Sequence, residues 1–135
     1  MVKVSSVYQG HKHCQATHEP SGSQLETDAP KDNQGLGERF SPTDLVATAL
    51  GTCILTTMAI VAERDGVDIK GSKISTEKVM NNNPRKIASL KTVIELPKSI
   101  PLDYRTKIEN VAHACPVKKS LHPDIEVPIE LRFVL

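Results

Sequence analysis

The chain has 135 residues, with 17 Lys and Arg against 16 Asp and Glu, a formal charge of +1, two Phe, two Tyr and no Trp. That balance offers no basic field for a phosphate backbone and almost no aromatic surface for stacking on bases, so nucleic acid is excluded as a natural partner. The length suits one domain over residues 1–135, with little area to spare if a long apolar element must be covered.

The opening MVKVSSVYQGHKHC alternates apolar and polar residues and lacks the continuous apolar segment of a secretory signal, so a cytoplasmic protein with reduced thiols is expected. Val2–Tyr8 and Lys12–His18 form a predicted hairpin about a turn centred on Gly10. A shorter strand, Ser23–Thr27, follows the Pro20-Ser21-Gly22 turn. The polar segment Asp28–Glu38 contains Gly35 and Gly37, which favour a mobile loop that delivers Arg39 and Phe40 to the mouth of the next element.

That element is the stretch around which the chain is organised, Ser41–Glu63, read SPTDLVATALGTCILTTMAIVAE. Ser41 is a suitable N-cap, Pro42 fits the first helical position, and Asp44 can act as the acid of a capping box. From Leu45 to Ala62 there is no charge, and no face is truly polar. Leu45, Leu50, Cys53, Ile54 and Ile60 lie on one side, and Thr48, Gly51, Thr52, Leu55 and Ala62 on the other. A helix buried nearly all round is expected. Its threonines, its glycine and its soluble-type caps speak against a membrane span. The small residues also allow a second helix to approach closely, which points to a homodimer with paired central helices.

Arg64-Asp65-Gly66 supplies a terminal cation and a glycine for a left-handed cap. Val67–Val79 and Lys86–Leu96 then read as a second hairpin around Asn81–Arg85, and Pro101–Ala114 returns to helical spacing. Cys115-Pro116 closes that helix and can open another short one. Asp124–Leu135 ends the chain as a strand, which Pro128 restricts to an edge or a bend. This order belongs to the α+β class with an antiparallel sheet.

Three cysteines without a C-x-x-C motif argue against a disulfide framework, a zinc ribbon and a thioredoxin-like centre. No glycine-rich phosphate loop, Ser/His/Asp set or paired catalytic carboxylates can be assembled, so no cofactor is expected. His11, His13 and Cys14 raise the question of a metal, but on a strand Cys14 points away from the two histidines and no fourth ligand is in sight. Cys53, inside an apolar helix, needs a nearby cation to ionise, and Arg39 is the best local supplier. Cys115, at a helix N-terminus beside Pro116, with His113, Lys118 and Lys119 close in sequence, has the more activating local setting. Either thiol can equally be a small buried hydrophobe.

SPTDLVATALGTC followed by HACPVKKSL resembles the OsmC/Ohr family of thiol-dependent peroxidases, in the branch with an SPTDL-type helix start, and the order of elements matches over nearly the whole chain. The resemblance implies an OsmC-like fold, an antiparallel sheet wrapped around a long buried helix, in an intertwined homodimer with its active site at the subunit boundary. It implies Cys53 as peroxidatic and Cys115 as resolving cysteine, with Arg39 as the catalytic arginine. Organic hydroperoxides would be substrates, and small thiols or dihydrolipoyl groups reductants. Many peroxidases of the family carry a Glu in the first turn of the central helix; here Thr43 holds that place and Asp44 follows, leaving Glu38 or Asp44 to support the arginine. The absent Glu keeps open the alternative of a non-enzymatic dimer binding a small apolar or thiol ligand between subunits; a redox sensor whose disulfide changes a partner contact is a third.

Overall fold

The computed structural model describes residues 1–135. The chain forms two compact units, Met1–Val46 and Ala47–Leu135, each with its own three-stranded sheet.

In the first unit β1 (Val4–Gly10), β2 (His13–His18) and β3 (Ser23–Asp28) pair antiparallel in that order. The first turn is tighter than the glycine alone suggests. His11 and Lys12 both take the left-handed conformation, at φ 53° and 61°, as a two-residue hairpin turn requires, and the register slips by one residue between Tyr8 and Gly10. His11 therefore belongs to the turn and does not share a strand face with His13.

The segment after β3 is not the free loop expected from its glycines. A 3-10 turn over Lys31–Asn33 folds it back, and Gly35 N–H donates to the Pro30 carbonyl, Gly37 N–H to Ala29 and Ala29 N–H to Lys12. Gly35 is there because the backbone approaches itself. A Cβ at that position would lie 1.7 Å from the Ala29 carbonyl oxygen.

Ser41 and Asp44 build the capping box their spacing predicts. Ser41 N–H donates to Asp44 Oδ2 at 2.9 Å, and Asp44 N–H donates to Ser41 Oγ at 3.1 Å. From this cap α1 runs over Pro42–Arg64 and carries the chain into the second unit. Its far end is closed by a Schellman arrangement: Val67 N–H donates to the Ala62 carbonyl and Gly66 N–H to Glu63, with Gly66 at φ 72°.

Within the chain α1 is not covered all round. Leu50, Gly51, Ile54, Met58 and Ala62 are buried, whereas Thr48, Ala49, Thr52 and Thr56 are exposed and Ile60 keeps 69% of its surface. Period 3.6 still applies; with so few polar side chains, composition could not reveal which stripe faces the core.

β4 (Lys73–Asn82) and β5 (Arg85–Leu96) form the long hairpin. Residues 67–72, expected at its start, make turns instead: Asp68 Oδ1 accepts from Lys70 N–H, Ser72 Oγ donates to the Ile69 carbonyl, and Gly71 sits at φ 86°. Gly51 lets α1 lie close on β4, since a Cβ there would be 3.4 Å from both Ile74 Cγ2 and Thr76 Oγ1. After β5 the chain forms α2 (Leu102–Ala112) and α3 (Pro116–Ser120), then returns as β6 (Ile129–Phe133). β6 runs parallel to β5, so the sheet is mixed where an antiparallel one was expected. Two helices separate the strands in sequence, and such a crossover lets the chain re-enter in the same direction. Pro128 stands just before this edge strand, and residues 124–128, expected as part of it, follow β5 irregularly: Glu126 bridges to Ser89, exchanging hydrogen bonds with Ala88 and Leu90, and the Pro128 carbonyl accepts from Thr92 N–H.

The core of this unit joins Leu50, Ile54 and Met58 of α1 with Leu90, Ile94 and Leu96 of β5, Ile108 of α2, and Cys115. Arg105 ties α2 down. Its guanidinium stacks over the Phe133 ring at 4.2 Å and donates to the carbonyls of Ile100 and Lys98.

Candidate functional site

Cys53 lies about three turns into α1, beside the buried stripe and partly accessible; Cys115 is fully buried immediately before α3. All of the groups that act on these two sulfurs belong to the second unit. Cys115 is the N-cap of α3 and Pro116 its first residue; the cysteine side chain does not close a cap, but the N–H groups of Val117 and Lys118 at the start of the helix favour the ionised form of its sulfur. Val117 N–H also acts on Cys53, and Thr57, one turn further along α1, brings its Oγ1 to 3.9 Å from Cys53 Sγ.

The two thiols are hydrogen-bonding neighbours with opposite tendencies. Burial works against ionisation of Cys53, but hydrogen bonds from the Cys115 thiol, Val117 N–H and the Thr57 hydroxyl outweigh it and hold its pKa below the ordinary thiol value. Cys115 goes the other way. Burial raises its pKa and donation to Cys53 raises it further, against the opposing N–H groups of Lys118 and Val117. This reverses the order expected from local sequence, where Cys115 had the more activating setting. A capping position favours a thiolate, but full burial and a thiol neighbour that ionises first favour the protonated form. Hydrogen bonds, not a cation, lower Cys53. Thr57 and Val117 were not singled out from the sequence: Thr57 has the i, i+4 spacing to Cys53 that could have found it, whereas Val117 acts through its backbone and left no signal. His113 ends α2 exposed, and Lys119 is exposed on α3.

Arg39 is in the first unit, in a chain of charges that crosses from β2 to β3. His13 Nδ1 lies 2.7 Å from Asp28 Oδ1, His13 Nε2 3.6 Å from Glu26 Oε1, and Arg39 Nε donates to Glu26 Oε2 at 3.1 Å. The carboxylate that holds Arg39 is thus Glu26. Glu38, the expected partner, contributes its backbone carbonyl to the guanidinium and its N–H to Asp28 Oδ2. Asp44, the other expected support, accepts from the Ser41 N–H at the helix start. Cys14 pairs across the sheet with Tyr8 and Thr27.

Charge pairing in this network sets a pH dependence. The Asp28 hydrogen bond raises the pKa of His13; the His13 hydrogen bond lowers that of Asp28, and Arg39 lowers that of Glu26. A raised histidine contributes stability that is complete below its unfolded pKa, about 6.5, and is lost as the pH rises through the higher folded value. Lowered carboxylates contribute above their unfolded values, roughly 4, and lose that contribution as the pH falls through the folded ones. The melting temperature of His13→Gln should therefore fall furthest below wild type between about pH 4.5 and 6.5, and the gap should narrow at higher pH. Scanning calorimetry across that range checks this.

Comparison with known proteins gives a consistent answer. A family model described as OsmC-like protein matches residues 35–130. A candidate osmotic stress induced and detoxification response protein from Psychrobacter arcticus 273-4 is 39% identical, with a TM-score of 0.92 over 98% of this chain and 96% of that one. An organic hydroperoxide resistance protein OsmC from Legionella pneumophila has the same fold at 15% identity, with a TM-score of 0.74 over 97% of this chain and 96% of its own. In sequence, the uncharacterized protein YmaD of Bacillus subtilis strain 168 is 24% identical over 111 residues, 75% of this chain and 73% of YmaD.

Proposed function

This chain belongs to the OsmC-like protein family, and on that footing we propose that it is a thiol-dependent peroxidase that reduces organic hydroperoxides to alcohols. The observation that carries the reading is the polarised thiol pair, hydrogen-bonding neighbours of which Cys53 is held below the ordinary thiol value and Cys115 above it. A nucleophile needs the first state and the alkoxide leaving group needs the proton held by the second.

The Cys53 thiolate attacks the distal peroxide oxygen; an S–O bond forms, the O–O bond breaks, and Cys53 becomes a sulfenic acid while the substrate leaves as alkoxide. The Cys115 thiol gives its proton to the alkoxide and becomes a thiolate. It then attacks the Cys53 sulfur, the S–S bond forms, and hydroxide leaves and takes a proton to become water. A dithiol, small or dihydrolipoyl, reduces the disulfide by exchange and is itself oxidised. No cofactor enters. The reading keeps Arg39 as the catalytic arginine that the resemblance to the family implies, on the substrate side of the reaction.

The reading takes residues 1–135 as one OsmC-like domain working in the cytoplasm as a homodimer. The exposed, largely uncharged strip of α1 through Thr48, Thr52, Thr56 and Ile60 supports the pairing of copies.

The test is stoichiometry. Reduced protein mixed with one equivalent of an alkyl hydroperoxide is expected to yield one alcohol and lose two thiols, with mass mapping joining Cys53 to Cys115. Unreactive thiols in folded protein would overturn the proposal.

A further inference from the structure

The uncharged part of α1 carries neighbouring threonines whose hydroxyls behave differently. Thr52 Oγ1 donates to the Thr48 carbonyl at 2.8 Å, and Thr56 Oγ1 donates to the Thr52 carbonyl at 2.9 Å. That is the ordinary way for a helical hydroxyl to satisfy its proton. Thr57 sits one residue on and faces the sulfur instead, its Oγ1 3.9 Å from Cys53 Sγ. The i, i+4 spacing puts the hydroxyl over the sulfur on the same helix face. Both residues are half-buried, so water can reach the pair without flooding it.

We propose that Thr57 is a further functional residue of this site: its hydroxyl donates to the Cys53 thiolate, holds Sγ in the rotamer that meets substrate, and stabilises the charge there before the peroxide arrives. The inference rests on the peroxidase reading and adds a donor to it. A neutral thiol is a poor acceptor and leaves the contact long; ionisation makes the bond charge-assisted, and such bonds tighten when the reactive state forms. The lowered pKa of Cys53, to which the Thr57 hydroxyl contributes, agrees with this geometry. With no cation among the groups acting on Cys53, each hydrogen bond to its sulfur carries a larger share of the stabilisation.

The experiment compares Thr57→Val, which removes the hydroxyl at similar shape, with Thr57→Ser, which keeps it. Both are made in the full chain with Cys14→Ser, so that the lower thiol titration step reports Cys53. The pKa is followed by thiolate ultraviolet absorbance, and the rate with an alkyl hydroperoxide by stopped flow. Thr57→Val is expected to raise the first thiol pKa and slow the reaction at neutral pH roughly threefold to tenfold. The deficit should close at a pH where both proteins are fully ionised, and Thr57→Ser should track wild type throughout. A Thr57→Val protein with the wild-type titration and pH–rate profile would overturn the inference. Failure of the underlying reading looks different: wild type itself would not consume hydroperoxide, and the absorbance titration would then decide alone whether Thr57 donates to the sulfur.

Discussion

Cys53→Ser is expected to lower hydroperoxide turnover by roughly a thousandfold or more, whereas Cys115→Ala should slow the first reaction with peroxide without abolishing it and stop the protein at a sulfenic acid. The reason lies in how the two sulfurs divide the work. A serine hydroxyl does not ionise at neutral pH under the hydrogen bonds that suffice for a thiol, so no nucleophile forms at position 53. Removing Cys115 takes away the resolving thiol, the proton for the alkoxide and one of the donors that lower Cys53. Three consequences should appear together in Cys115→Ala: a higher Cys53 pKa, trapping of the oxidised residue by a cyclic diketone reagent, and passage to sulfinic acid under excess peroxide. Mass spectrometry of the variant after one and ten equivalents of hydroperoxide reads the last two directly. Formation of a disulfide elsewhere, with Cys14 as partner, would contradict this division of roles.

The second large effect concerns stability. Leu50 has no exposed surface and packs in the core of the second unit, so Leu50→Ala is expected to cost about 2–5 kcal/mol, seen as a lower urea midpoint at unchanged slope. Ile60, on the same helix, retains 69% of its surface within the chain. Ile60→Asp should change the stability of an isolated chain little, but it should shift the proposed dimer toward monomer in sedimentation, because it places a charge on the strip through which copies are proposed to pair. A Leu50→Ala protein as stable as wild type would show that α1 is not the organising core element. An Ile60→Asp protein that stays dimeric would remove α1 from the proposed interface.

The pH response of the His13 network and the thiol chemistry should separate cleanly. His13, Asp28, Glu26 and Arg39 lie in the first unit, and the groups that set the Cys53 pKa lie in the second. A His13→Gln protein is thus expected to shift in melting behaviour while keeping the wild-type thiol titration.

Much of the fold is readable from short-range chemistry. Ser41, Pro42 and Asp44 mark the start of α1 because capping involves groups only a few residues apart, and Gly66 marks its end because the left-handed cap is a local backbone demand. Cys115-Pro116 opens α3 for the same kind of reason. The two cysteine-bearing segments, in their order along the chain, carry the family resemblance that the comparisons establish.

What local sequence does not contain is the outcome of long-range choices. The uncharged run from Leu45 to Ala62 fits the core by several faces, and only packing against β4 and β5 selects the stripe through Leu50, Ile54 and Met58. The parallel seat of β6 beside β5 depends on the path of two intervening helices. Arg39 finds Glu26 across the fold of the first unit rather than its neighbour Glu38. The same holds for the acidity of Cys53: proton affinity responds to burial and donors within a few ångströms, and besides Thr57 those donors come from residues more than sixty positions away, Cys115 and Val117. Residue order set the caps, the turns and the presence of two candidate thiols; folding in three dimensions chose which of them gives up its proton first.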